Sequence, residues 1–126
     1  MFFSRRAGHR IVDKGDVASY DYVVTDFTKD DEWNVLDLSD KIPVGTKLVH
    51  FSGIVRSDVA FGSCMFREYG NTLAGNTELI ITQAANECMG VSFEVVPNKD
   101  RKIDYLFNVT GIVWFECSLT VCRYVI

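Results

Sequence analysis

The amino-acid sequence predicts an all-β protein, a jelly-roll-like antiparallel β-sandwich of about eight or nine strands. Alternation of apolar with polar residues at period two recurs along the chain, in runs rich in β-branched and aromatic residues. The i, i+3, i+4, i+7 spacing of an amphipathic helix does not recur. Because parallel βαβ units need crossover helices, this pattern excludes a parallel sheet and favours two packed antiparallel sheets.

The predicted strands follow one another from residue 20 to the C terminus. The chain divides into an extended N-terminal arm over residues 1–19 and a single sandwich domain over residues 20–126. Pro43 fixes φ and Gly45 permits positive φ, so we expect the chain to reverse there before its third strand. The predicted strands span residues 20–27, 33–38, 46–56, 62–69, 78–84, 91–96, 102–108 and 112–125.

The last predicted strand has the clearest alternation. We expect one set of its side chains to face the core and the other set to face the wetter side of the sheet. The core-facing set is Phe115, Cys117, Leu119 and Val121, and the opposite set is Glu116, Ser118 and Thr120.

The composition is that of one globular domain. Of 126 residues, 48% are hydrophobic and 24% are charged, which supplies a core and excludes both a disordered chain and a second catalytic domain. The mean hydropathy of +0.07 is high for a small solvated monomer. We therefore expect apolar surface that a partner covers, in a homo-oligomer that is a trimer or a dimer.

Charge is distributed unevenly between the arm and the body. The net charge is −4, yet the first ten residues contain three arginines and no acid. The acidic body argues against nucleic acid as a partner, because phosphate binding needs clustered basic residues. The arm is predicted to bind a partner, with phenylalanines in apolar pockets and arginines paired with carboxylates, or else to be a frayed terminus without a role. The partner-binding candidates are Phe2, Phe3, Arg5, Arg6 and Arg10.

No membrane or export segment is apparent in the sequence. The apolar start of two phenylalanines is far shorter than the roughly 7 to 15 residues of a secretory core. No apolar run approaches the roughly 18 residues of a spanning helix. We therefore expect a soluble protein made in the cytoplasm, with free thiols at Cys64, Cys88, Cys117 and Cys122.

The sequence indicates neither an enzyme nor a bound cofactor or metal. A Gly-x-Ser-x-Gly elbow and a Gly-rich phosphate loop are both missing, and a general base would have to be His9 or His50. His50 alternates with apolar neighbours, which favours a hydrogen-bonded histidine on a sheet. Four carboxylates could hold Ca²⁺, but they lack the EF-hand spacing and fit an exposed turn. They are Asp26, Asp30, Asp31 and Glu32.

Several aromatic residues are candidates for binding sugars, because flat amphipathic rings stack on the apolar faces of pyranoses. The same residues could instead pack in the core or line its rim. The glycan-binding candidates are Trp33, Tyr69, Tyr105 and Trp114, with Tyr124 as a further aromatic residue near the C terminus.

Four motifs occur in order and are followed by a long amphipathic terminal strand. They are Trp33-x-x-Leu36-Asp37-Leu38-Ser39, Ile42-Pro43-Val44-Gly45-Thr46-Lys47, Phe66-Arg67-Glu68-Tyr69-Gly70-Asn71 and Arg101-Lys102-Ile103-Asp104-Tyr105. In this order they resemble small β-sandwich domains of tailed-bacteriophage virion accessory proteins, over roughly residues 20–126. The resemblance implies a structural or adhesive protein of capsid, tail or fibre, without catalytic residues.

We therefore expect a non-enzymatic bacteriophage virion protein, capsid-decorating or tail-associated, that is made in the host cytoplasm and incorporated into the virion. It would self-associate and dock through its arm onto other virion proteins such as capsid or tail subunits. The alternative is a carbohydrate-binding module that contacts glycans on the host surface.

Overall fold

Strands and turns account for the regular structure in a computed structural model that describes residues 10–73, 75 and 77–126. Within these residues no helix is long and apolar enough to cross a membrane. One turn of 3₁₀ helix covers Val24–Asp26. The strands are β1 (Ile11–Asp13), β2 (Asn34–Asp37), β3 (Leu48–Ser57), β4 (Ser63–Glu68), β5 (Glu78–Ile81), β6 (Met89–Val95), β7 (Lys102–Phe107) and β8 (Trp114–Val125).

The strands form two antiparallel sheets of four. Sheet 1 has the order β1-β8-β3-β6 and sheet 2 has the order β2-β7-β4-β5. The antiparallel pairs are nested, because β4 pairs with β5, β3 with β6, β2 with β7 and β1 with β8. This winding is that of an eight-stranded jelly roll, so the predicted fold class is confirmed.

The core lies between the two sheets and contains eight aromatic residues. Phe66 of β4 stacks on Phe93 of β6 across the sandwich, with 4.8 Å between ring centroids. Phe27 comes from the chain between β1 and β2, and its ring lies 5.1 Å from that of Tyr105 and 5.2 Å from that of Phe107. These stacked, tilted and edge-on ring contacts fill the interior from both sheets and from the chain between β1 and β2.

Two irregularities in β8 change which of its side chains face the core. The pairing of β3 with β8 shifts register between His50 and Phe51 and again between Arg56 and Ser57. Each shift leaves one extra residue on β8, which reverses the alternation beyond it. Cys117, Leu119 and Val121 face the core as predicted. The prediction for Phe115 is wrong, because this residue lies at a shift and is exposed, with the Arg56 guanidinium 4.9 Å from its ring centre.

The predicted strand over residues 20–27 is wrong apart from one residue. Tyr22 alone pairs with β8, through two backbone hydrogen bonds with Leu119 of 3.0 and 2.9 Å. Asp21 beside it accepts hydrogen bonds from the Thr120 hydroxyl and the Val121 amide. Ser118 and Thr120 are both buried, although the alternation predicts a wetter environment for them, and this cover helps to explain the burial of Thr120.

The structure places β1 inside the predicted arm of residues 1–19. Ile11–Asp13 pairs with the end of β8, and the backbone of Arg10 extends this pairing through hydrogen bonds with Ile126 in both directions. A strand of three residues is too short to show alternation, so the sequence did not predict it. Arg10 therefore begins the sheet, while Phe2, Phe3, Arg5 and Arg6 lie outside the described residues.

One lateral side of the sandwich is closed by the chain that joins β1 to β2. This chain leaves the edge of β8 and reaches sheet 2, where the Asp31 amide donates to the Phe107 carbonyl at 3.1 Å. The Asp31 carboxylate accepts hydrogen bonds from the Val109 amide at 2.6 Å and the Thr110 hydroxyl at 2.9 Å. The bond from Val109 is the main reason that the pKa of Asp31 is lowered. On the other lateral side the chain that joins β5 to β6 is much shorter, residues 82–88, and a groove remains open between the two strands.

The backbones of β3 and β8 approach closely at Gly53. A Cβ atom at this position would lie 1.8 Å from the Ser118 carbonyl oxygen, a distance that no pair of non-bonded atoms tolerates. The absence of a side chain at Gly53 is therefore a condition for pairing the two long strands.

We expect Gly53→Ala to destabilise the fold by about 3 kcal/mol, because the added carbon can be accommodated only if a strand backbone moves. Urea unfolding followed by circular dichroism measures the effect. Gly90→Ala on β6 is the matched control, since a Cβ there meets no atom within 4 Å. Equal stability of the two variants would contradict the close approach of β3 and β8.

Candidate interaction surfaces

Two of the four predicted glycan-binding residues belong to the core. Tyr105 is 3% exposed and its hydroxyl accepts a hydrogen bond from the Thr28 amide at 2.8 Å. Trp114 is 6% exposed and its indole N–H donates to the Asn108 carbonyl at 2.9 Å. Both polar groups are satisfied inside the protein, so neither ring is available to a sugar. Tyr124 is half-buried and also packs against the core.

Trp33, the third predicted residue, lies on the outer side of sheet 2 with its ring already in contact with a cation. The Arg67 guanidinium carbon lies 3.7 Å from the ring centroid. Arg67 Nε also binds Asp104 Oδ2 at 3.3 Å, and the same oxygen accepts the Gly70 amide at 3.0 Å. Asp104 is buried, so this paired arginine is held over one face of the indole, and that face is closed to a pyranose.

Tyr69, the fourth predicted residue, lies just after β4 and is exposed. It does not line the groove that Trp33 lines. The structure therefore does not bring the four predicted residues together as a platform. Sequence alone could not separate them, because an aromatic residue in a strand looks the same whether it faces inward or outward.

The outer face of sheet 2 carries a set of apolar side chains that we call the apolar face. Met65 at its centre pairs with Leu79 on one side and Leu106 on the other. Val35 and Leu79 are respectively 48% and 56% exposed. Leu106 is buried, Trp33 and Met65 are half-buried, and the other members are exposed, an arrangement of apolar residues typical of an interaction surface. The apolar face consists of Trp33, Val35, Met65, Leu79, Ile81 and Leu106.

A shallow groove crosses the apolar face. Its volume is about 480 Å³, and it is lined by Trp33, Met65, Arg67, Thr72, Thr77 and Leu79. Its charged lining residue, Arg67, is already paired with Asp104. The groove therefore offers apolar contact and two threonine side chains without an unpaired charge.

On the outer face of sheet 1, a histidine contacts a serine through one ring nitrogen and a carboxylate through the other. His50 Nε2 lies 2.7 Å from Ser92 Oγ, and His50 Nδ1 lies 3.5 Å from Glu94 Oε2. The cluster exists because β3 pairs with β6 in a register that sets His50 opposite Glu94. Sequence reasoning identified His50 but missed Ser92 and Glu94, which reach it only through this pairing.

This series resembles a hydrolytic triad in connectivity but lacks its enclosure. The Glu94 side chain is 56% exposed, so water competes for the carboxylate that would orient the imidazole. The cavity beside His50 has a volume of about 60 Å³, and Ser92 does not line it. An acyl substrate also needs donors that hold its oxyanion away from water. We interpret the cluster as a polar ladder that joins β3 to β6.

The acidic turn uses its carboxylates to hold the backbone. Asp26 accepts the Val23 amide at 2.8 Å, and Asp30 accepts the Glu32 amide and the Asn34 side chain at 3.2 and 3.0 Å. In residues 10–73, 75 and 77–126 no three His, Cys, Asp or Glu side chains are placed to hold a metal ion.

The four cysteines are free thiols in different environments. Cys64 and Cys117 are buried in the core, Cys122 is half-buried and Cys88 is exposed. Burial raises the pKa of Cys117 to about 12 and raises the pKa of Cys64 well above its usual value. The two core thiols therefore stay protonated and act as small apolar side chains.

Comparisons of this chain with protein-family models, with curated proteins and with solved structures find no match. The strand order of the two sheets defines the fold class of the protein.

We expect a fluorophosphonate probe to leave Ser92 unlabelled at neutral pH, because its imidazole partner is held by an exposed carboxylate on an open sheet. Intact-mass spectrometry measures the adduct. Ser92→Ala is the control, and labelling of the parent that disappears in this variant would show that the cluster is a reactive centre.

We expect a thiol reagent at about pH 8 to modify Cys88 first and to leave Cys64 and Cys117 unmodified until the protein unfolds. Cys88→Ser should remove the fast phase. Fewer than four thiols after denaturation, in protein prepared without oxidation, would contradict the assignment of free cysteines.

Proposed function

We propose that this chain is a non-enzymatic structural protein of a bacteriophage virion, capsid-decorating or tail-associated, that self-associates and docks on other virion proteins. We infer its location in the virion from the resemblance of its ordered motifs to phage accessory domains. The jelly roll is compatible with this role, since viral capsid and lectin domains share that architecture. Because one fold serves many functions, the proposal depends on the surfaces rather than on the fold.

The observation that carries the proposal is the apolar face. Val35, Met65 and Leu79 present apolar surface to water on the side of sheet 2 that faces away from the core. Removing such surface from water stabilises a complex by roughly 25 cal/mol per Å² before association costs are subtracted. A second copy of the chain is a suitable occupant, because a two-fold axis sets the same face against itself.

The charges next to the apolar face favour burial of this kind. Arg67 and Asp104 form an ion pair within one chain, and Gly70 donates a further hydrogen bond to Asp104. A partner that covers the face does not have to supply a countercharge, so no charge is left unpaired in the interface. Self-association therefore needs shape and apolar contact more than charge matching.

A carbohydrate-binding module is the alternative. Its support is the groove beside Trp33, where Thr72 and Thr77 could donate hydrogen bonds to hydroxyl groups. Two of its four candidate rings are buried, however, and Arg67 covers one face of the third. This leaves Tyr69 and one side of Trp33 for stacking, which is a weaker platform than the sequence suggests.

We expect the protein to be a dimer or trimer by light scattering, and Val35→Glu to shift it towards monomer, because a carboxylate would be buried in the interface. Val44→Glu is the matched control, since Val44 is 73% exposed in the loop before β3, away from the apolar face. A parent that is monomeric at high concentration would contradict self-association.

Mass spectrometry of purified particles tests the virion assignment, and glycan-array binding that Trp33→Ala abolishes would favour the alternative.

A further inference from the structure

The open lateral side of the sandwich carries a groove between its two edge strands. β5 ends sheet 2 and β6 ends sheet 1, so each strand has a single strand neighbour. A groove of about 450 Å³ runs between them and is lined by residues of both strands, together with Gln83. Its apolar lining includes Ile80 of β5 and Met89, Val91 and Phe93 of β6. An uncovered strand edge beside apolar side chains is a surface that proteins usually protect.

One end of this groove is acidic. A second depression of about 370 Å³ shares Glu78 with it and is also lined by Glu68, Glu94, Leu48 and Val95. Within the described residues neither Glu68 nor Glu78 forms an ion pair, and Glu94 contacts His50. We call the two depressions, which share Glu78, the edge groove. It combines an apolar stretch with carboxylates that have no basic neighbour in its lining.

We propose that the edge groove binds the N-terminal segment of a second copy of this chain, with Phe2 and Phe3 in its apolar stretch and Arg5 and Arg6 at its acidic end. This inference rests on the proposed function, since it names a second contact between subunits besides the apolar face. The complementarity is direct, because the first ten residues hold three arginines, two phenylalanines and no acid. The exposed strand edges would bind such an extended segment as an added strand.

The position of Arg10 favours a neighbouring copy over the same chain. Arg10 extends β1, which lies at the opposite edge of sheet 1 from β6 with β8 and β3 between them. Three strand spacings amount to about 14 Å, before any turn around the edge of β6. Nine residues reach about 30 Å when extended, so crossing the sheet would consume much of the segment. A segment from another copy can approach the open side directly.

A charge exchange between two full-length variants tests the proposal. The arm variant carries Arg5→Glu with Arg6→Glu, and the groove variant carries Glu68→Lys with Glu78→Lys. Each variant alone should dissociate about tenfold more readily in analytical ultracentrifugation, because like charges then face each other. An equimolar mixture should recover association, since each arm then meets a groove of opposite charge on the other variant. High salt should weaken association of the parent.

The controls separate this contact from other causes of dissociation. Glu32→Lys with Asp100→Lys raises the net charge by the same amount as the groove variant, at exposed positions outside the edge groove, and should leave association unchanged. A labelled peptide of residues 2–10 gives a second measurement, and it should bind the arm variant but not the groove variant. Circular dichroism verifies that all variants are folded.

Each outcome decides the proposal. Recovery in the mixture supports exchange between copies. Recovery only in a single chain that carries all four substitutions, with none in the mixture, would show that the segment binds its own groove and would overturn the exchange. No effect of either variant, together with dissociation by Val35→Glu, would overturn the edge groove while leaving self-association through the apolar face. If Val35→Glu has no effect either and the parent is monomeric, the proposed function fails as well.

Discussion

The pairing of the two long strands, β3 and β8, is the interaction on which the rest of the sandwich depends. It links the middle of the chain to its C terminus along Leu48–Ser57 and Trp114–Val125. Gly53 permits the closest approach, and the two register shifts decide which β8 side chains enter the core. β1 and Tyr22 then attach to the free edge of β8, which brings the N-terminal part of the domain to its C-terminal strand.

The nested strand order gives the sandwich two unlike sides. On one side the chain after β1 crosses from Tyr22 to Asp31 and is tied at both ends by hydrogen bonds. On the other side β5 and β6 remain as edges with an apolar groove between them. Since sheet edges promote association unless they are covered, the edges of β5 and β6 differ in this respect from those on the crossed side.

The sequence predicted the candidate surfaces less well than it predicted the strands. Tyr105 and Trp114 are aromatic residues in strands, and their hydroxyl and indole groups find partners only in the folded core. Ser92 and Glu94 lie more than forty residues after His50 in the sequence. They contact His50 only because of the register between β3 and β6. Contacts of this kind depend on strand pairing, and a single sequence carries no signal for the pairing.

The sequence by itself determined the all-β class, the approximate positions of β2 to β8 and the uneven charge between the N terminus and the body. These properties follow from local alternation, turn residues and composition, which each segment carries without reference to the others. Tertiary structure alone decided that Phe115 faces solvent, that only Tyr22 pairs within the predicted strand over residues 20–27, and that β5 and β6 border one groove. Those outcomes arise from bulges, backbone approach and sheet order, which exist only when distant strands are hydrogen-bonded to one another.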